Sequence, residues 1–332
     1  MATVDPRDML LGSIKVQTAT DRKVLALLRQ ALRDVNRDIA LVIGSGVGEI
    51  VRRDQLKQIR ASLLERVATL NSAVGDTVRD GKIAAAIEAD RRLLDYDAVL
   101  MHGHLNKERR EYLKRSAVTM SQESVALAER RLFGSGYVAL SERVYRTGAV
   151  SAGLVDSAVN SALARGLSAR EFAASVSNLV NPATPGGVSY ASMRLARTEI
   201  NNAFHARAID SAREKPWVEA MKWNLSGSHP EPDECNDYAD DAHTTGGDAG
   251  VFAINDVPAK PHPHCLCFVT PVELDEDAFL NGLLRGSYDD YIDDQIEQRR
   301  VGGMPSGADP LPEPAVAPSN TKPPRPSGRR TR

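Results

Sequence analysis

All three cysteines of this chain, Cys235, Cys265 and Cys267, fall in one short region, together with five of its seven histidines: His205, His229, His243, His262 and His264. Within that region, residues 226–264 are rich in Gly, Pro, Asp and His and carry no hydrophobic periodicity. So long a stretch without regular structure is uncommon inside a compact domain, where it is disordered, functional or pinned. Both of its rims carry soft ligands. His229 and Cys235 lie upstream, and Pro261-His262-Pro263-His264-Cys265-Leu266-Cys267 lies downstream.

The flanking sequence is helical in pattern. Of 332 residues, 42% are apolar, mostly Ala, Leu and Val, and only 5% are aromatic, a mixture that favours helices over a β-sandwich. Leu25, Leu28, Leu32, Val35 and Ile39 recur at spacings of three and four. They predict an amphipathic helix over residues 21–44, capped by Thr20 or Asp21 and ended by Gly44, Gly46 and Gly48. Residues 49–100 keep the period through Leu56, Ile59, Leu63, Leu70 and Val74, as one long helix or two joined near Gly75 or Gly81. Such a stripe needs a cover, either a bundle neighbour or another subunit in a coiled coil.

Helix continues over 105–148 with a break near Gly134 and Gly136. Two shorter helices follow over 150–180, the first ended by Gly166 and the second capped by Ser168 with Glu171 three residues on. A loop at 181–187 leads to a helix over 188–213, with the stripe Met193, Ala196, Ile200 and Phe204 and a stop at Lys215-Pro216. An extended run is expected around Met221–Leu225, and residues 265–272 alternate as a strand. Residues 273–299 are acidic and helical in part. There is no solenoid-type repeat and no phosphate-cradling glycine loop. The expected fold is mainly α: an elongated helical region over 1–150, a small α+β Cys/His-containing domain over 151–275, an acidic helical extension over 276–300, and a disordered basic, Pro-rich tail over 301–332.

The formal net charge of −2 argues against the whole chain being an electrostatic nucleic-acid binder. Only the tail end is basic, with Lys322, Arg325, Arg329, Arg330 and Arg332 and no acid between them. Residues 1–17 lack the apolar run of a signal peptide, and nothing reaches the roughly 18 uncharged apolar residues that span a bilayer, so no membrane is expected. In a reducing cytoplasm three cysteines are no disulfide framework.

Thiolate and imidazole are the ligands Zn²⁺ prefers, and a structural site needs four. A loop with a weak apolar core gains most from a metal clip, because binding free energy becomes folding free energy. Cys235, His262, Cys265 and Cys267 supply four ligands, with His229 and His264 as spares. On a strand, Cys265 and Cys267 would share a face about 7 Å apart, so placing both sulfurs on one metal requires a kink, and a disulfide between them is geometrically poor. Without a metal, the same residues would form a reduced, hydrogen-bonded cluster in a small core.

Read in order, the segment Arg194 to His205 (Arg-Leu-Ala-Arg-Thr-Glu-Ile-Asn-Asn-Ala-Phe-His), Lys222-Trp223, Cys235, Gly250-Val251-Phe252 and the His262–Cys267 run ending at Pro271 resemble the Mu F-type phage head morphogenesis domain. The likeness covers residues 190–275, roughly a quarter of the chain. That family shows an R-T-E helix, a Trp-led strand, a C-x-x-C pair and a closing H-P-x-C-x-C. Here the second cysteine of the upstream pair is Tyr238, which leaves Cys235, His262, Cys265 and Cys267 as the mapped set. The resemblance implies a non-enzymatic minor head protein of a tailed phage. Such a protein would assemble in the host cytoplasm, reside in the virion inside the capsid or at the portal vertex, and bind portal, coat or scaffold proteins. Its basic tail would make weak, salt-sensitive contact with packaged DNA or simply be a soluble end.

Other readings compete. Arg197 and Glu199 are two apart and do not face each other on a helix, so they are expected in salt bridges and in hydrogen bonds to the following loop. His102 and His104 flank Gly103 in an expected surface turn, and Ser226-Gly227-Ser228-His229 lacks the strand–turn–helix context of a serine nucleophile. A metal-dependent hydrolase or nuclease of toxin type would need an open coordination position and a base such as Asp233 or Glu234. A helical scaffold protein unrelated to phage is the third reading.

Overall fold

The computed structural model describes residues 4–43, 53–101, 121–181, 184–227, 229, 232–244, 247–291 and 293–294. The first part, 105–120, of the helix expected over 105–148, the turn at His102 and His104, and the tail at 301–332 lie outside the described residues. The chain is mainly helical, with one small antiparallel sheet near its C-terminal end.

Helix α1 spans Arg7–Ile43 and starts well before the expected residue 21. The Asp5 carboxylate accepts the Arg7 N–H at 2.9 Å, and the apolar stripe extends back through buried Val16 and Met9. Thr20 is buried in mid-helix and Asp21 pairs with Arg197, so neither is a cap. Helix α2, Arg53–Leu100, is unbroken through both Gly75 and Gly81. Glycine inside a helix costs about 1 kcal/mol against alanine. At Gly81 a Cβ would stand 2.4 Å from Ile200 Cδ1 and 2.6 Å from Thr20 Oγ1, so the missing side chain is what lets two neighbouring helices approach.

The long α2 stripe is covered by the chain's own helices. Leu56, Ile59 and Leu63 pack with Val35 and Ile39 of α1, with Val155 and Val159 of α4 (Leu140–Arg165), and with Phe172 of α5 (Ala169–Val180). Before these comes α3, Gln122–Phe133, started by Ser121, whose hydroxyl accepts the Ser124 N–H; a 3₁₀ turn over Gly134–Gly136 follows it. The break expected near Gly134 and Gly136 is therefore present; helix α4 begins at Leu140 and runs through the expected boundary between 148 and 150. It ends as expected at Gly166, in the left-handed region at φ 58°. Ser168 and Glu171 form a reciprocal capping box at the start of α5.

Helix α6, Val188–Glu214, is buried on most sides and runs into β1, Val218–Asn224. Strand β1 is the centre of a three-stranded sheet, flanked antiparallel by β2 (Val251–Ala253) and β3 (Phe268–Glu273); Met221 lies opposite both Phe252 and Pro271. Pro271 is tolerated because β3 is an edge strand. A short helix, α7 (Glu234–Asp240), sits inside the stretch that shows no periodicity, and α8 (Glu276–Leu284) follows the sheet. One apolar cluster draws Met9 and Leu93 from the N-terminal helices together with Ile200, Trp217, Met221, Trp223, Phe252 and Phe268, so residues on both sides of position 150 share a core. No helix among the described residues is long and apolar enough to cross a membrane.

Candidate metal centre

The upstream rim is organised by the start of α7. Asp233 Oδ1 accepts the Cys235 N–H at 2.8 Å, and Asn236 Oδ1 accepts the Asp233 N–H at 3.1 Å. This cap fixes the first helical turn, and Cys235 on that turn is fully buried. Three residues on, Tyr238 packs edge-on against Trp223 and Phe252 as part of the apolar core.

The downstream rim does not continue as a strand from residue 265, as its alternation suggests; β3 begins at Phe268. The Cys265 N–H turns back to the His262 carbonyl at 3.4 Å, and His264 sits at φ 63°. A left-handed histidine is a strained choice that surrounding contacts must hold. Those contacts are present. Asn201 of α6 donates Nδ2 to the Cys265 carbonyl at 3.1 Å while its Oδ1 accepts from Ser13 Oγ at 2.8 Å, tying the loop to α1 and α6 at once. Buried Lys260 donates to the carbonyls of Cys265 and Cys267 at 3.0 and 2.6 Å. His205 donates Nε2–H to Pro258 O at 2.9 Å, and burial together with the Lys260 charge pushes its pKa down to about 3, so it is neutral.

The resulting kink brings the sulfurs together. Cys235 Sγ and Cys265 Sγ are 3.5 Å apart, and the Sγ atoms of Cys235, Cys265 and Cys267 all lie within 4.8 Å of one another. Such crowding lets them share one negative charge. A hydrogen bond from Cys267 and the Lys260 ammonium hold Cys265 down at about 5 against its burial. Burial and the Cys265 charge push Cys235 up to about 12; the hydrogen bond with Cys265 and burial also push Cys267 upward. Burial lowers Lys260, and the cysteine charges oppose that shift.

Two histidines border the sulfurs. His262 Nε2 is 3.5 Å from Cys235 Sγ, and Asp233, Cys235 and His262 form a second close group. His229 Nδ1 is 3.9 Å from Cys267 Sγ. His264 belongs to neither group and stands among the charges of Arg197, Arg194 and Asp21. A tetrahedral zinc with bonds of about 2.3 Å to sulfur separates its ligand atoms by roughly 3.6–3.8 Å, so this donor set fits such an ion. The cluster of Cys235, Cys265, Cys267 and His262 could hold a metal ion.

The Arg-Thr-Glu segment of α6 serves the frame more than the loop. Arg197 Nε bonds Asp21 Oδ2 at 2.8 Å, and Glu199 takes Lys82 at 3.2 Å and Arg143 at 2.6 Å, all on the N-terminal helices. The hydrogen bonds to the following loop come instead from Asn201 and His205. Lys260, set between prolines, has no sequence signal marking it as buried. Asp233 sits beside both His229 and His262, so the carboxylate considered as a base lies within the cluster. Comparison with protein-family models, with curated proteins and with solved structures returned no match in any of the three.

Proposed function

We propose that this chain is a non-enzymatic minor head protein of a tailed phage, in which a zinc ion clips a small module onto a helical frame. The observation that carries the reading is the convergence of motif pieces separated in sequence. Asn201, on the helix bearing Arg197 and Glu199, holds the carbonyl of Cys265, and Cys265 meets Cys235 across the loop. Pieces that resemble the Mu F-type domain only by their order thus support one another physically. The role follows from the clip: a rigid module and a helical frame offer binding surfaces to portal, coat or scaffold proteins, and the virion is where the protein would reside.

Co-expression with the portal, coat and scaffold proteins of the phage that encodes it tests this. The chain is expected to co-purify with portal subunits or assembled heads, and its deletion to lower the yield of heads. Normal head yield with none of the chain in virions would overturn it. The hydrolase reading draws on Asp233, yet that carboxylate already accepts the Cys235 N–H and faces two imidazoles. Its geometry supports an orienting role better than that of a free base.

A further inference from the structure

Helix α8 buries one side and leaves another without cover. Phe279 packs edge-on against Trp217 at 5.7 Å and stacks on Tyr288 at 5.3 Å. Leu280, Leu283 and Leu284 recur at spacings of three and four, which gathers them on one face beside it. Leu284 is 84% exposed and Leu283 41%, and Leu280 is partly exposed. Among the described residues, none of the three joins an apolar cluster. A scattered exposed leucine is ordinary, but three on one helix face mark a contact surface.

We propose that this leucine face is a docking site for a positively charged amphipathic helix of another protein. The proposal goes beyond the head-protein reading and does not depend on it. The charge of the occupant follows from the rim. Asp275 and Asp277 stand exposed at the start of α8, and Asp289, Asp290, Asp293 and Asp294 stand exposed just after it. Between residues 275 and 294 the one cation is Arg285. The stacking of Tyr288 on Phe279 folds the chain back after α8, so the second group of aspartates returns toward the helix.

This rim selects among occupants. A second copy of the chain on the same face would set aspartates against aspartates, and nucleic acid or anionic lipid would be repelled as well. The chain's own basic end, residues 322–332, has five cations but no large apolar side chain to cover three leucines, and Pro323, Pro324 and Pro326 suit no helix. A partner helix with apolar residues at spacings of three and four, flanked by Lys or Arg, satisfies both the face and its rim. The face is also fixed in advance. Asp275 Oδ1 accepts the Ala278 N–H at 2.8 Å at one end. At the other, the Ser287 N–H bonds the Gly282 carbonyl at 2.9 Å, with Gly286 in the left-handed region at φ 70°. A surface held this way loses little conformational freedom on binding.

The test titrates the full chain into a fluorescently labelled synthetic amphipathic helix of leucine and lysine, read by anisotropy. Two control peptides carry glutamate in place of lysine, or serine in place of leucine. The parent is expected to bind the first peptide only, with affinity falling as salt rises. Leu283→Ser with Leu284→Ser should weaken binding by roughly tenfold or more, with circular dichroism unchanged because both side chains are exposed. Asp289→Asn with Asp290→Asn should weaken it about threefold at low salt, the gap closing at high salt. The proposal is overturned if the leucine variant binds as the parent does, or if the glutamate peptide binds equally well. It is also overturned if Arg329→Gln, Arg330→Gln and Arg332→Gln together raise affinity by roughly tenfold, since the chain's own end would then be the occupant. A parent that sediments as a dimer and a leucine variant that sediments as a monomer would overturn it in favour of a second copy. The peptide assay contains no head protein, so failure to co-purify with portal subunits would sink the assembly role and leave this surface standing.

Discussion

The helical frame and the Cys/His loop both bury polar groups against one shared core, but they balance charge in opposite ways. In the frame, cations meet carboxylates. Lys82 lies between Glu129 at 2.7 Å and Glu199 at 3.2 Å, Lys215 meets Asp97 at 2.5 Å, and Arg207 meets Asp90 at 2.8 Å. In the loop, the buried cation Lys260 is bonded to carbonyls, and the negative charge is one shared among three crowded sulfurs. The frame is closed by its own residues. The loop has a donor set whose geometry suits one more cation, so its order should depend on something added while the frame's does not.

The largest effect expected follows from that contrast. Stripping metal from the protein, or making Cys235→Ser, should cost the loop and sheet on the order of 5 kcal/mol. The near-ultraviolet signal of Trp223, which packs on His205 and Tyr238 beside the site, should fade while most far-ultraviolet helical signal persists. Circular dichroism during a chelator titration reads both signals. Simultaneous loss of the two would break the comparison and make loop and frame one cooperative unit.

A somewhat smaller effect is expected inside the frame. Lys82→Met leaves Glu199 with Arg143 alone and strips Glu129, fully buried, of its ammonium partner. An uncompensated buried charge costs about 3–5 kcal/mol, whereas replacing both partners by apolar groups is often nearly neutral. Lys82→Met should therefore sit in that range in urea denaturation, and adding Glu129→Leu should recover much of the loss. A single variant within 1 kcal/mol of the parent, on the scale of an exposed pair, would show that the frame does not rely on this charge balance.

The same contrast explains what the sequence discloses. The helix over 188–213, the capping box of Ser168 and Glu171 and the stop at Gly166 are local patterns, and each is found where the pattern puts it. The start of α1 was hidden because Thr20 and Asp21 have cap chemistry, yet tertiary contacts claim both side chains. The kink before β3 was hidden because alternation across Cys265 and Cys267 mimics a strand, while Asn201 and Lys260 hold the backbone away from one. Lys82 and Glu129 are 47 residues apart, and no local window pairs them. The converging thiols were legible only because cysteine is rare in this chain; the orientation of each imidazole depends on hydrogen bonds that spacing does not encode.

A last, smaller effect tests whether the frame is closed everywhere. At the end of β3, burial and the nearby Asp97 charge raise Glu273 from its ordinary 4.5 to about 8, with Lys215 opposing them. The folded state thus holds a proton that the unfolded chain releases at lower pH. Below about pH 4.5 both states are protonated and the group is neutral toward stability. Between 4.5 and 8 the unfolded chain gives up its proton and the fold keeps it, so stability falls as pH rises; above 8 both are ionised and the loss is complete. Glu273→Gln has no proton to release and can still donate to Asp97. It should match the parent near pH 4.5 and be more stable at pH 8 by about 1 kcal/mol, a few degrees in Tm. Thermal melts of both proteins across this range decide it. A Gln variant that gains nothing toward pH 8 would mean that Lys215 already neutralises both carboxylates, leaving the frame balanced at this corner too.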